Sequence, residues 1–87
     1  MDMRLVLIGW LDSFGCSPSW QPLDDHHVKP LLCRSVGWLV QDKPDCKVIV
    51  PHLSDSNDHV AAQGCGDMTI PTAAILRITD LAPTLAA

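Results

Sequence analysis

Apolar positions fall into five short runs, separated by stretches rich in aspartate, serine, proline and glycine. Arg4 to Leu11 is the first run and is apolar on both faces, which predicts a strand that is central or covered on both sides. Leu32 to Val40 alternates. Leu32, Arg34, Val36, Trp38 and Val40 share one side, and Cys33, Ser35, Gly37 and Leu39 share the other. The bulk of Val36, Trp38 and Val40 predicts that theirs is the core face, with Arg34 at its rim. Gly37 suits a bend or the close approach of another backbone. Gln41 to Asp45 is a compact polar turn leading into Cys46–His52, so the second and third runs predict a hairpin. Asp67 to Ile70 is the fourth strand, stopped by Pro71. Thr72–Ala74 fits a single 3₁₀ turn, and Ile75–Leu81 is the fifth strand.

Two long connections remain. Asp12 to Pro30 is loop material, and Trp20 and Leu23 are expected to pin it to the domain. Leu53 to Gly66 is the second long loop. A helical turn over His59–Gln63 fits within it but is too short to stand alone.

At 87 residues the chain predicts one domain over 1–87, with 82–87 as a frayed tail. A domain this small has a thin core. Trp10, Trp20, Trp38 and Phe14 are therefore the expected anchors. All ten acidic residues are aspartate, which favours turns over helix interiors. The formal charge is −4, and the six lysines and arginines form no cluster. That argues against a nucleic-acid binder and suits a basic protein partner. The amino-terminal apolar run is shorter than a membrane span and lacks a signal-peptide pattern, so the expectation is a soluble cytoplasmic protein with no membrane partner.

The order of strand, long loop, hairpin, loop, short strand, 3₁₀ turn and strand resembles the SH3-like small barrel. Ile70-Pro71-x-x-x-Ile75 is its most specific piece. The resemblance implies an all-β, five-stranded barrel with two long loops. The chain also looks like short proteins of bacteria and their phages that carry no assigned activity. That likeness rests on Gly9-Trp10-Leu11-Asp12-Ser13, Ser35-Val36-Gly37-Trp38-Leu39 and Cys65-Gly66-Asp67-Met68-Thr69-Ile70-Pro71. It implies a phage or prophage origin and transfers no site residues. Signalling SH3 domains bind proline-rich peptides through aromatic grooves. This chain has no tyrosine and lacks the acidic loop beside a tryptophan pair.

Candidate chemistry is sparse. Cys16, Cys33, Cys46 and Cys65 form no Cys-x-x-Cys pair, the usual kernel of a structural zinc site, although His26, His27, His52 and His59 add potential ligands. Cys33 and Cys46 flank the hairpin and would face each other across it either as packed thiols or as ligands. Cys65, between two glycines, would need His52 or His59 nearby to act as a nucleophile. Asp24-Asp25 and Asp55/Asp58 match no calcium-loop spacing. The expectation is therefore no cofactor, no catalytic residues and a small module that binds another protein. The loops would supply Phe14, Trp20, His26, His27 and His59 as contact residues, with Trp20 either exposed as the anchor or folded back over the barrel end. A zinc-stabilised domain and a nucleic-acid accessory are the alternatives. Open first and last strands would also let two copies pair as a homodimer.

Overall fold

The computed structural model describes residues 3–15, 18–26 and 29–81. The expected frayed tail lies outside them. Among the described residues seven strands form: β1 (Leu5–Asp12), β2 (Leu31–Asp42), β3 (Cys46–Val50), β4 (His52–Ser54), β5 (Gln63–Cys65), β6 (Met68–Pro71) and β7 (Ile75–Asp80). Five make an antiparallel sheet in the order β6-β3-β2-β1-β7, and β4 pairs with β5 as a separate ribbon. The Asp42 to Cys46 turn is the predicted hairpin, closed by the Lys43 N–H donating to the Cys46 carbonyl at 3.0 Å. The Thr72–Ala74 3₁₀ turn also lies where the sequence puts it.

The expected SH3-like barrel does not form. β6 and β7 are the two edges of the sheet and exchange no ladder hydrogen bonds, so the sheet stays open. The local chemistry explains this. Pro71 ends β6 without an N–H to donate, and the next donor, Thr72 N–H, is taken by the Asp45 carbonyl at 2.9 Å. Each edge strand is paired on one side only, β6 with β3 and β7 with β1.

The core lies on one face of this sheet. Val6, Ile8, Leu39, Ile49 and Ile70 are buried together, and Trp10, Ile75 and Ile78 pack against them. Register decides which side of β2 joins them. Val6 sits opposite Gly37, Ile8 opposite Ser35 and Trp10 opposite Cys33. The inner face of β2 is therefore the Cys33, Ser35, Gly37 and Leu39 side, contrary to the expectation from bulk. Val36 is exposed, and Trp38 is half-buried on the outer face. The large side chains of β1 and β3 fill the inner layer, so beside Leu39 β2 contributes only the smaller Cys33, Ser35 and Gly37 there. A Cβ on Gly37 would stand 3.0 Å from both the Ile49 Cβ and the Val50 carbonyl oxygen. Trp10 Nε1 donates to Ser35 Oγ at 3.0 Å, which satisfies the indole at the core margin.

The expected loop from Leu53 to Gly66 is in part the β4–β5 ribbon. Pro51 breaks the third predicted strand, and His52–Ser54 then pairs with Gln63–Cys65. Gly64 lies over Val50, with Val50 Cγ1 3.1 Å from where its Cβ would be, and Val50 is buried. Gly66 turns the chain into β6 at φ +79°, a conformation that favours glycine. No helical turn forms over His59–Gln63. Asn57 Oδ1 accepts from the His59 and Val60 N–H groups at 2.8 and 2.9 Å, and the Asn57 N–H donates to the Val60 carbonyl. That side-chain turn competes successfully with a helix.

Candidate functional site

The connection from β1 to β2 is shaped by a single 3₁₀ turn, Leu23–Asp25. Asp25 N–H donates to the Pro22 carbonyl at 3.1 Å, and His26 Nδ1 lies 2.9 Å from the Leu23 carbonyl. Two large apolar side chains at this turn stand in solvent. Trp20 is 102% exposed and Leu23 is 88% exposed. Neither pins the loop to the domain, which corrects that expectation and gives the exposed alternative for Trp20. Together with Pro18, Ser19, Gln21 and His26 they line an open concavity of about 490 Å³.

Trp20 and His26 thus share one surface. Phe14, half exposed, belongs to the same connection but does not line the concavity. His59 lies apart, in the turn at the end of the β4–β5 ribbon. His27 falls outside the described residues. Leu23 is the surface residue whose exposure the sequence concealed, because an apolar residue after a proline reads equally well as an anchor or as a protrusion.

Cys33 and Cys46 do not face each other. Cys33 is opposite Trp10 and Cys46 opposite Pro71, because the hairpin pairs Asp42 with Lys47 and extends only to Trp38 and Val50. Both are free thiols, as is Cys65. His52 and Cys65 are directly opposite across the ribbon, but among the described residues no side-chain hydrogen bond joins them or orients the imidazole. Among the described residues no group of three or more histidine, cysteine or aspartate side chains is placed to hold a metal ion. No helix of the described residues is long and apolar enough to cross a membrane.

Charge is arranged unevenly. Arg4 Nε donates to Asp80 Oδ1 at 2.8 Å, and Lys47 pairs with Asp42 while also donating to the Lys43 carbonyl. The Lys47 hydrogen bond, then its charge, holds the Asp42 carboxyl below its usual range, with Arg4 adding to the effect.

What these observations define is a small open-sheet β domain with an apolar loop surface. No family model, curated protein or solved structure matches the chain. The likeness to short bacterial and phage proteins finds no counterpart there, and with the barrel absent it carries no argument about origin or function.

Proposed function

We propose that this protein is a non-enzymatic binding module that contacts another protein through the connection between β1 and β2. The observation that carries the reading is the full exposure of Trp20 beside Leu23, around one concavity. Leaving an indole and a leucine in water forfeits about 1.5–3 kcal/mol each relative to burial, and tryptophan is the residue type most enriched at binding hot spots. The 3₁₀ turn and the His26 contact hold Leu23 outward locally, which lowers the ordering cost on association. We take the protein as cytoplasmic, since the free thiols of Cys33, Cys46 and Cys65 suit a reducing compartment.

Site-specific photo-crosslinking in the native cells tests this. A crosslinking residue at position 20 or 23 is expected to give one discrete heterologous adduct, absent when the crosslinker replaces the exposed turn residue Lys43. No adduct from positions 20 and 23, or the same adducts from position 43, would overturn the reading. An adduct of twice the chain mass would assign the surface to a homodimer instead.

A further inference from the structure

The outer face of the sheet carries a second surface, built without any loop residue. Gly9 of β1 is opposite Arg34 of β2 on one side and Arg77 of β7 on the other. A register shift beside Gly9 and Trp10 leaves Leu76 as an extra residue in β7, so Leu76 and Arg77 both turn to the outer face. The result is a groove along β1. Leu7 and Gly9 form its floor, Leu32 and Arg34 one wall, and Leu76, Arg77 and Thr79 the other.

Two features of the groove call for an occupant of definite chemistry. Neither Arg34 nor Arg77 has an ion-pair partner among the described residues, whereas Arg4 and Lys47 are both paired. Their Cα atoms stand two strand spacings apart, roughly 10 Å, within reach of a single anionic group held over Gly9. Among the described residues, the one atom within 4 Å of a Cβ built on Gly9 is the Arg77 carbonyl oxygen, 4.0 Å away, so no described side chain lies directly over Gly9. The rim is apolar and open. Leu32, Val36 and Leu76 are 50%, 54% and 61% exposed.

We infer that this groove binds an extended acidic peptide segment of a partner protein. A carboxylate lies over Gly9 between the two guanidinium groups, which donate hydrogen bonds to its oxygens. Same-side residues of an extended chain recur every second position. Along β1 those positions fall over Leu7, flanked by Val36 and Thr79, and over Leu11, flanked by Leu32. The recognised pattern is therefore apolar-x-acidic-x-apolar.

The probe is the blocked peptide Ser-Leu-Ser-Glu-Ser-Leu-Ser, titrated into the isotope-labelled full chain by NMR. Expected are shifts at Leu7, Gly9 and the Arg34 and Arg77 side chains, and weakening by about tenfold in each of Arg34→Gln and Arg77→Gln. Weaker binding is also expected when the glutamate is replaced by glutamine or both leucines by serine, and at raised salt. Gly9→Ala fills the floor without a clash and tests the groove independently of charge. Absence of these shifts, or unchanged binding in both arginine variants, overturns the proposal. So does acetate or phosphate saturating the same signals at the same concentration, which would mark a simple anion site. Concentration-dependent self-association through these residues would assign the face to a second copy. Trp20→Ser leaves the titration unchanged, so this surface and the loop surface stand or fall separately.

Discussion

Replacing Gly37 by alanine tests the packing of the sheet at its most crowded point. The added Cβ meets the Ile49 Cβ at 3.0 Å, the Val50 carbonyl oxygen at 3.0 Å and the Val50 carbonyl carbon at 3.2 Å. Two of these neighbours are backbone atoms of a paired strand, so relief requires β2 and β3 to move apart where Trp38 pairs with Val50 and Leu39 with Ile49. Overpacking of this kind costs about 1–3 kcal/mol, and the lower chain entropy of alanine in the unfolded state returns about 0.4–1 kcal/mol. The net expectation is a loss of about 1–2 kcal/mol, a large share of the roughly 4–13 kcal/mol expected for a domain of this size. Thermal unfolding followed by circular dichroism should show Tm falling by about 4–8 °C per kcal/mol. Gly9→Ala is the internal control. It lies in the adjacent strand, its nearest contact is 4.0 Å, and only the entropic gain applies. Gly9→Ala should be neutral or slightly stabilising. Equal Tm values for the two variants would refute the close approach at Gly37 and with it the assignment of that side of β2 to the core.

Ile70→Ala removes a fully buried side chain of the edge strand β6 and should cost about 2–5 kcal/mol in denaturant unfolding; a cost under 1 kcal/mol would mean that β6 does not seal the core. Thr72 Oγ1 is buried with no hydrogen-bond partner among the described residues, so Thr72→Val should stabilise by about 1 kcal/mol, and destabilisation would show that the hydroxyl is satisfied. Asp42 has a lowered folded pKa, so its ion pair contributes stability above the ordinary carboxylate value of 3.8 and loses it as pH falls through the lower folded value. Lys47→Gln should flatten stability in that acidic window, and an unchanged acid profile would count against the pair. Ser35→Ala should cost about 0.5–1.5 kcal/mol through the Trp10 indole it leaves unpaired, with Trp10→Phe in the Ser35→Ala background recovering part of it.

The strands of the sheet were legible because their signals are local. Alternation marks β2, and the polar turn at Gln41 to Asp45 marks the hairpin, though not its register, which shifts between Leu39 and Gln41. Pro71 and the three residues after it mark the step into β7. The face of β2 was not legible, since burial depends on the volume already supplied by β1 and β3. Val6, Ile8 and Ile49 fill the inner layer, and bulky Val36 is left outside. β4 and β5 are three residues each and pair across an intervening turn, so neither carries a periodic signal of its own. Closure into a barrel failed for a similar reason: the strand order is set by local connections, while pairing of the two edges is decided by which backbone donors remain. Of the candidate site residues, Trp20 and His26 do share a surface, because only five residues of one loop lie between them. Arg34 and Arg77 are far apart in sequence and meet only through Gly9, with the bulge at Leu76 breaking the alternation that would have placed them.

Both exposed surfaces lie off the core, and this gives the molecule a separable mutational signature. Among the described residues the buried apolar side chains are all aliphatic: Val6, Ile8, Leu39, Ile49, Val50 and Ile70. The exposed apolar side chains at Trp20, Leu23, Leu32, Val36 and Leu76 contribute little to that core, so truncating them should change stability by less than about 0.5 kcal/mol. A sequence under selection for folding alone gains solubility by replacing such residues with polar ones, since exposed apolar patches favour aggregation. Around a concavity and beside two arginines that have no ion-pair partner among the described residues, we read these side chains as the contact residues of the two proposed surfaces.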